Sequence, residues 1–440
     1  MSKSSFSGRL AAIRTSADEA VALIPDGSRI AMGLGVSQPP ALLGALADRA
    51  ARGEIDRLSL YYLLSTRIAG DTVLQPGLCD RIRPVSLFHS AVERTLDAHG
   101  GDRPCVELLP TPFHQVPRVL CEQVRVDVLL TTVAPMDETG HFSLGTNTDY
   151  AMSVARSGAR VILEVNRHMP RVSGDCRIHV GDVAAVVEHD VPLLELPSAV
   201  PKAADLKIAA IIAGLIEDGD CLQMGIGAVP QAVCAALGSH RHLGIHTELL
   251  TPGLADLMRS GVVDNSRKQI DSGRSVFTFA MGDRRLYDFM DNHPLIEARP
   301  VDYVNDPAVI ARNDRMVSVN ATLQIDLDGA CNSESIGGSQ YSAAGGQLDF
   351  VRGAYASRGG RSIIACHATA ANGTVSRIVP VLDGPVTTPR NDTHIVVTEH
   401  GWIDLKGKTL VERARGLIAL AAPQHREALE RAMHARHRVI

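Results

Sequence analysis

The sequence has few aromatic residues, no long hydrophobic run and no long run of basic residues. Aromatic side chains make up 4% of the 440 residues, which disfavours a sandwich built on aromatic anchors. No stretch reaches the ~18 consecutive apolar residues of a membrane span, and the polar N-terminus lacks the apolar region of a secretory signal. A net charge of −5 does not suit a nucleic-acid binder. We therefore expect a cytoplasmic protein that binds neither membrane nor nucleic acid, while a local cationic pocket for an anionic ligand stays open.

The sequence also lacks the short motifs of metal sites and disulfide frameworks. It contains no C-x-x-C pair and no H-E-x-x-H segment. We therefore expect no bound metal and reduced, mostly structural thiols. The eight scattered cysteines are Cys79, Cys105, Cys121, Cys176, Cys221, Cys234, Cys331 and Cys366.

What the sequence does have is an alternation of helical and strand patterns. The apolar spacing predicts helices at 17–23 and 39–51, and largely apolar runs predict buried strands at 29–32, 126–133 and 160–165. Strands that alternate with helices are typical of α/β proteins with mainly parallel sheets. We therefore expect an open α/β architecture.

An internal repeat divides the chain. Residues 22–35 (ALIPDGSRIAMGLG) align without a gap to 214–227 (GLIEDGDCLQMGIG), and each copy predicts a helix, an Asp-Gly turn, a strand and a glycine loop. The proline-rich segment 191–201 lies between the copies. The sequence therefore predicts two related α/β domains, 1–195 and 202–440.

The glycine loops exclude a simple dinucleotide-binding fingerprint. Neither copy completes G-x-G-x-x-G, so a dehydrogenase is a remote alternative. At Gly33 and Gly35 a tight structural turn and a functional loop both stay open. At Gly225 and Gly227 the functional interpretation is favoured, because Pro230 can begin a helix whose N-terminal N–H groups suit an anion or a carbonyl oxygen.

Glu248 is a candidate for chemistry. It follows the predicted short strand 244–246 and precedes the predicted turn 251–253, which places it at a strand's carboxyl end, where α/β folds bind ligands. A carboxylate there can act as general base, metal ligand or nucleophile, or it can merely cap a helix or face solvent. His246 is interpreted as a structural histidine.

Glu248 and the second glycine loop belong to a longer series of motifs. These are MGIGAVP at 224–230, IHTE at 245–248, FAMG at 279–282, LYDF at 286–289, RPVDYVNDP at 299–307, GGQLDFVRGA at 345–354, GTVSRIVP at 373–380 and VTEHG at 397–401. With these motifs the sequence resembles the acetyl-CoA hydrolase/transferase family of class I CoA-transferases, in particular the branch with 4-hydroxybutyrate and butyrate CoA-transferases. The resemblance covers nearly the whole chain, and the fold of that family also consists of two related α/β halves.

The resemblance implies a role for each matching residue. Glu248 corresponds to the catalytic glutamate, and Asn305 and Gly346 correspond to the oxyanion hole. The CoA-binding residues that it implies are Gly225, Ile226, Gly227, Ala228, Val229, Gly345 and Gly346.

The implied function is an acyl-CoA:carboxylate CoA-transferase with ping-pong kinetics. It would move CoA from succinyl-CoA or acetyl-CoA to a small acid through a glutamyl-CoA thioester, with no permanently bound cofactor. The resemblance also implies a homodimer or higher homo-oligomer. An acyl-CoA hydrolase of the same fold and a non-catalytic CoA-binding protein are the alternatives.

Two regions depart from the family pattern. Segment 369–374 lacks a lysine common in the family. If that lysine helps to hold the CoA phosphates, another cation must replace it here; the candidates, for each of which a structural or surface role is favoured, are Arg352, Arg358, Arg361 and Arg377. Segments 89–93 and 110–118 differ where the acid pocket is expected. This resembles the branch that uses itaconate with succinyl-CoA, as against butyrate or 4-hydroxybutyrate, and makes His114 and Arg118 candidates for a distal carboxylate.

Overall fold

The chain forms two compact units. The computed structural model describes residues 3–99, 104–197 and 199–437. The first unit comprises the described residues up to Leu196 together with Val276–Val304, and the second comprises Pro197–Ser275 and the described residues from Asn305 onwards. The internal repeat predicts one domain over 202–440, whereas the segment Val276–Val304 groups with the first unit. Its backbone bonds show why, since Ala280 N–H donates to Thr146 O at 2.7 Å and Thr148 N–H donates to Thr278 O at 3.0 Å.

The elements up to residue 197 alternate as the sequence patterns predict. The strands are β1 Arg29–Met32, β2 Leu58–Tyr62, β3 Ile82–Ser86, β4 Glu107–Leu108, β5 Val128–Val133, β6 His141–Ser143, β7 Arg160–Val165, β8 Ser173–Gly174, β9 Arg177–His179 and β10 Val183–Glu188. The helices are α1 Lys3–Ile13, α2 Ala17–Ala22, α3 Pro40–Ala51, α4 Arg67–Gly70, α5 Ala91–Ala98, α6 Val116–Arg118 and α7 Ala151–Arg156.

The sheet of the first unit is parallel. Its order is β10-β7-β5-β1-β2-β3-β4, and every strand pair in it runs in the same direction. Strands β5 and β7 are almost continuously buried, as expected for strands covered by helices on both faces. The switch in chain order lies between β5 and β1, which is where such sheets open a crevice at their carboxyl ends.

The rest of the chain repeats the same alternation. Its strands are β11 Cys221–Met224, β12 Gly244–Leu250, β13 Ser275–Ala280, β14 Ile296–Ala298, β15 Met316–Ala321, β16 Gln324–Asp326, β17 Cys331–Asn332, β18 Ser335–Ile336, β19 Ser339–Gln340, β20 Arg361–Ala365, β21 Thr369–Ala370, β22 Val375–Ser376, β23 Ile378–Val379, β24 Ile395–Thr398 and β25 Gly401–Asp404. Its helices are α8 Ala203–Gly214, α9 Ala228–Ala236, α10 Pro252–Arg259, α11 Arg284–Met290, α12 Val301–Val304, α13 Pro307–Ile310, α14 Gln347–Ala356, α15 Leu410–Leu420 and α16 Pro423–His437.

The sheet of the second unit has the topology of the first. Within this unit the order is β25-β24-β20-β15-β11-β12, with only β25 antiparallel to its neighbour. The run β24-β20-β15-β11-β12 corresponds strand by strand to β10-β7-β5-β1-β2, and β1 and β11 are the two repeated strands. The predicted α/β class, with related halves and mainly parallel sheets, is confirmed.

Several local predictions needed correction. Strand β12 continues to Leu250, so Glu248 lies within the strand and not at its end. The predicted turn at 251–253 is the start of α10, where the Thr251 side chain caps the helix and Pro252 occupies its first turn, a position that tolerates a missing N–H. Helix α9 begins at Ala228, two residues before Pro230.

Two further observations concern the thiols and the helices. None of the eight cysteines, all of which lie in the described ranges, forms a disulfide. In the described part of the chain, no helix is both long and apolar enough to cross a membrane.

Candidate active site

Glu248 is the one residue of β12 that is not fully buried. The strand carries the sequence GIHTELL, and its other six residues are buried. His246, two residues earlier on the same strand, is fully buried, with its ring 6.4 Å from that of Phe350. The strand therefore anchors Glu248 firmly and leaves part of this residue accessible.

Asn305 holds one oxygen of that carboxylate. Its Nδ2 donates a hydrogen bond of 2.6 Å to Glu248 Oε2. Asn305 lies in the short segment that connects α12 and α13, and its side chain is fully buried. The Oδ1 atom of Asn305 is also buried and has no hydrogen-bond partner among the described residues. A buried amide with one unsatisfied atom is uncommon in proteins, which suggests that a site requirement outweighs its cost here.

Gly346 approaches the same two side chains closely. It lies directly before α14, and a Cβ at this position would overlap with Glu248 Oε2 and Asn305 Nδ2. Its φ is −99°, so close approach and not backbone conformation requires glycine here. The preceding Gly345 has φ +53°, a left-handed conformation that favours glycine. The loop is further held by Gln347 Nε2, which donates to Thr388 Oγ1 at 2.9 Å.

The surroundings of Glu248 favour its protonated form. Burial raises the pKa of Glu248 to about 7, the hydrogen bond from Asn305 opposes that rise, and the negative charge of Asp349 adds to it. Asp349 is itself buried and lies in the first turn of α14. A carboxylate whose pKa lies near neutrality is a better nucleophile when ionised than an ordinary one, and strongly shifted groups of this kind concentrate at functional sites.

The loop at residues 225–229 follows β11, the strand next to the one that carries Glu248. Strand β11 pairs in parallel with β12 through Cys221↔Gly244 and Leu222↔Ile245, and this register, continued past the end of β11, would bring Gly225 level with Glu248. Gly227 has φ +115° and precedes α9 directly, while Ile226 is 53% exposed. The predicted strand–loop–helix arrangement of residues 225–229 is therefore present, with the N-terminus of α9 facing the loop.

Comparison with known proteins places these features in a family. Models of the N-terminal and C-terminal domains of acetyl-CoA hydrolase/transferase match residues 12–195 and 282–433. The chain belongs to the acetyl-CoA hydrolase/transferase family. The family predicted from the sequence motifs is thus confirmed.

Three similar proteins illustrate this family membership. Succinyl-CoA:cyclohexane-1-carboxylate CoA transferase of Geobacter metallireducens is 42% identical, over 96% of this chain and 95% of that one. The 4-hydroxybutyrate coenzyme A transferase of Clostridium kluyveri is 43% identical, over 94% and 95% respectively. The crystal structure of RipA from Yersinia pestis superimposes with a TM-score of 0.96 at 54% identity, covering 98% of this chain and 99% of that one.

In this member of the acetyl-CoA hydrolase/transferase family, the four arginines predicted as CoA-phosphate ligands lie in different places. Arg358 precedes β20 and pairs with Asp314, while Arg361 is the first residue of β20 and pairs with Asp220. Both therefore lie at the amino edge of the sheet. Arg352 is exposed on α14 and pairs with Asp392 at 3.1 Å. Only Arg377 of these four lies at the carboxyl edge, the side on which α/β sheets bind ligands.

The two residues predicted for the acid pocket lie in the first unit. His114 is partly buried in a short 3₁₀ segment, and Arg118 ends α6. The Arg118 side chain is 74% exposed and pairs with Glu122 at 3.0 Å. Their assignment to an acid pocket stays a prediction.

Sequence reasoning missed Asp349. The motif GGQLDF was recognised for its glycines, and an acidic residue in the first turn of a helix has an ordinary explanation in the helix dipole. The available signal was its apolar setting, since Asp349 is followed directly by Phe350 and Val351, which are both buried.

Proposed function

We propose that this chain is an acyl-CoA:carboxylate CoA-transferase that uses Glu248 as its nucleophile. The observation that carries the proposal is the convergence of Glu248, Asn305 and Gly346, which come from three separate parts of the chain. The relatives named above as CoA transferases support it. The assembled site disfavours a non-catalytic CoA-binding protein, which would need no such convergence.

The geometry suits each step of a ping-pong mechanism. Among the described residues, Asn305 donates to Oε2 of Glu248 and none donates to Oε1. Oε1 attacks the thioester carbonyl, the C–S bond breaks, and an acyl-glutamyl anhydride and CoA thiolate form. The thiolate then attacks the glutamyl carbonyl carbon, which releases the first acid and leaves a glutamyl-CoA thioester. A second acid reverses both steps, so bonds and charges balance without a resident metal or redox cofactor.

Asn305 and Gly346 are proposed to stabilise the oxyanions of this sequence. Each tetrahedral intermediate places negative charge on an oxygen beside Glu248. The Asn305 amide and the Gly346 N–H are the nearby donors, and loss of one such donor typically lowers the rate by ~10²–10³-fold.

The adduct provides a direct test. After incubation with an acyl-CoA and no acceptor acid, intact-mass spectrometry should show a CoA-sized adduct that hydroxylamine removes. The adduct should be absent in Glu248→Ala and present in Glu54→Ala, a matched variant at an exposed carboxylate that pairs with Arg52. Unimpaired turnover in Glu248→Ala would contradict the mechanism.

The finer substrate assignment is also a proposal. We propose succinyl-CoA or acetyl-CoA as donor, and either itaconate or butyrate and 4-hydroxybutyrate as acceptor. A panel of acetate, butyrate, 4-hydroxybutyrate, succinate and itaconate with both donors would rank them by kcat/KM. If itaconate is the acid, His114→Ala or Arg118→Ala should raise its KM more than that of butyrate. Equal, unchanged kinetics with both acids would remove these two residues from the pocket.

A hydrolase is the second candidate, because the matching family contains both activities by its description. In a hydrolase, water intercepts the anhydride or the glutamyl thioester. Steady release of CoA without any acceptor acid, at a rate equal to that with the best acid, would assign hydrolysis. A single burst of CoA-thioester formation on Glu248 without steady release would assign transfer.

A further inference from the structure

Arg377 contacts the backbone just after the carboxyl ends of β15 and β20, two neighbouring strands of the second unit. Its backbone N–H donates to Ala368 O at 3.0 Å, just beyond the end of β20. Its Nη1 reaches Thr322 O and Leu323 O at 3.5 Å and 3.4 Å, directly after the end of β15. The guanidinium therefore lies at the carboxyl edge of the sheet, the same edge as the loop at Gly225 and Gly227.

The hydrogen-bonding capacity of this side chain is largely unused. Both Nη1 contacts are longer than the usual 2.7–3.2 Å of an N–H···O bond. The Nε atom is buried without a partner, and within the part of the chain that the structure describes no carboxylate forms an ion pair with Arg377. Arginine has five N–H donors, and buried donors are nearly always satisfied. Arg352, Arg358 and Arg361 each pair with an aspartate. Because Arg361 Nε is also buried without a partner among the described residues, the difference lies in the ion pair.

A second unsatisfied atom lies next to it. Strand β16 pairs in parallel with β23 through Ile325↔Ile378, and Ile325 N–H donates to Arg377 O at 2.9 Å. Gln324 and Arg377 therefore precede paired residues and share one face of this small sheet. The Oε1 atom of Gln324 is also buried without a partner among the described residues. Two neighbouring side chains of this small sheet therefore each carry a buried polar atom without a partner among the described residues, which a packing defect of one side chain would not explain.

The position of Arg377 along the sheet edge suits one end of a long ligand. In the sheet order β12-β11-β15-β20, Glu248 lies on β12, and Arg377 contacts residues that follow β15 and β20. The carboxyl ends of these strands are two to three strand spacings from that of β12, about 10–14 Å. The loop at Gly225 and Gly227 lies between them. In CoA, the pantetheine arm likewise separates the reacting thioester from the phosphates.

We propose that Arg377 binds a phosphate group of the CoA substrate, with Gln324 as a neighbouring acceptor for a ligand N–H or O–H. This inference rests on the proposed function, because it takes an acyl-CoA as the ligand. Guanidinium is suited to phosphate because its N–H groups match two phosphate oxygens at once. It also explains how a chain of net charge −5 holds a polyanion.

Truncated substrates test the proposal. The kcat/KM of wild type, R377Q and R377K is measured with the best acyl donor as its CoA, 3′-dephospho-CoA and pantetheine thioesters. R377Q should lower kcat/KM for the CoA thioester by about 10–100-fold and that for the pantetheine thioester by less than twofold, since charged hydrogen bonds of this kind have that strength. The dephospho substrate then shows whether the 3′-phosphate or the diphosphate is the partner. R377K, which keeps the charge without the fork, should recover part of the loss.

Matched controls separate a binding role from a structural one. Arg358→Gln removes an arginine at the opposite edge and should change none of the three substrates. The proposal would be overturned if both R377Q and R377K lowered kcat/KM by the same factor for the CoA and the pantetheine thioester. It would also be overturned if neither variant lowered kcat/KM for either thioester. If R377Q is poorly folded, wild type and R377K can be compared by calorimetric titration with CoA and with pantetheine. This measures binding affinity directly and needs no turnover. Because the Glu248 adduct is measured separately at saturating acyl-CoA, failure of the arginine proposal is distinguishable from failure of the proposed function.

Discussion

The two repeated glycine loops differ in how much room surrounds them. In the first unit, Leu34 is fully buried, and a Cβ on Gly33 would overlap with Ser37 O and with Thr131 Oγ1. In the second unit, Ile226 is 53% exposed, and the nearest atom to a Cβ on Gly225 is Val319 O at 3.8 Å. The same strand–glycine–helix pattern thus forms a closed turn in one unit and an open loop in the other.

The G-x-G motif alone therefore does not define a binding site. A short G-x-G can be required because the backbone packs tightly on itself, or because a ligand must approach it. The neighbours decide which reason applies. Thr131 of the adjacent strand fills the space beside Gly33, whereas no side chain lies within 4 Å of a Cβ on Gly225 among the described residues. Substitutions at these glycines and at the residues around Glu248 can therefore distinguish a packing role from a binding role.

Substitution at a third glycine should sharpen the comparison most. A Cβ in Gly346→Ala would displace Glu248 and Asn305, so kcat should fall by at least ~10²-fold, the usual cost of losing one oxyanion donor. Single-turnover adduct formation on Glu248 gives the measurement. Gly44→Ala, on α3 with no atom near its Cβ, is the control and should leave the rate unchanged. A fully active Gly346→Ala would mean that the close contact is not required.

The paired loop variants should have opposite signatures. Gly33→Ala should lower the free energy of unfolding by about 1–3 kcal/mol, because the added methyl overpacks a closed turn. Gly225→Ala has room for its methyl, so its stability should change by less than about 0.5 kcal/mol, while KM for the acyl-CoA rises several-fold. Denaturant unfolding and steady-state kinetics measure both. If Gly33→Ala were the variant with the raised KM and unchanged stability, the division between the loops would be wrong.

The pH dependence should follow the pKa of Glu248. Only its ionised form is nucleophilic, so kcat/KM should fall as pH falls through about 7. Asp349→Asn removes a nearby negative charge and should move this acid limb to lower pH by up to about one unit. A pH–rate profile measures the shift, with Asp392→Asn on the exposed Arg352 pair as control. An unshifted limb in Asp349→Asn would assign the raised pKa to burial alone.

The same pKa has a consequence for stability. Burial raises the folded-state pKa of Glu248 from 4.5 to about 7, so the stabilisation from the bound proton is present below about pH 4.5 and is lost as pH rises through 7. Glu248→Gln avoids that loss. Its stability relative to wild type should therefore be higher at pH 8 than at pH 5, as measured by thermal unfolding at both values. A difference that does not change with pH would contradict the shifted pKa.

Much of the fold could be predicted because its signals are local. The predicted strands at 29–32 and 160–165 coincide with β1 and β7, and the predicted helix at 39–51 differs from α3 by one residue. Strand β12 was predicted too short, since the three consecutive polar residues at 246–248 give no sign that Leu249 and Leu250 continue the strand. Its full length is set by burial on both faces, which a single segment does not reveal.

The site was less predictable from position than from resemblance. Asn305 and Gly346 are distant from Glu248 in sequence, and no periodicity links them; only the family motifs did. Arg358 and Arg361 were plausible cations until the register placed them at the amino edge of β20. Asp349 was missed because its effect on Glu248 depends on how α14 meets β12, which is a tertiary property.

The discontinuous first unit has a consequence for synthesis on the ribosome. When residue 196 has emerged, the first unit still lacks Val276–Val304, whose backbone bonds to Thr146 and Thr148 cannot yet form. Domains generally fold as they emerge from the ribosome, but the first unit stays incomplete until about 110 further residues have been translated. Asn305 is the first residue after the segment that completes the first unit. The hydrogen-bond partner of Glu248 therefore leaves the ribosome only once the chain for the first unit is complete, which ties formation of the Glu248–Asn305 pair to a late stage of translation.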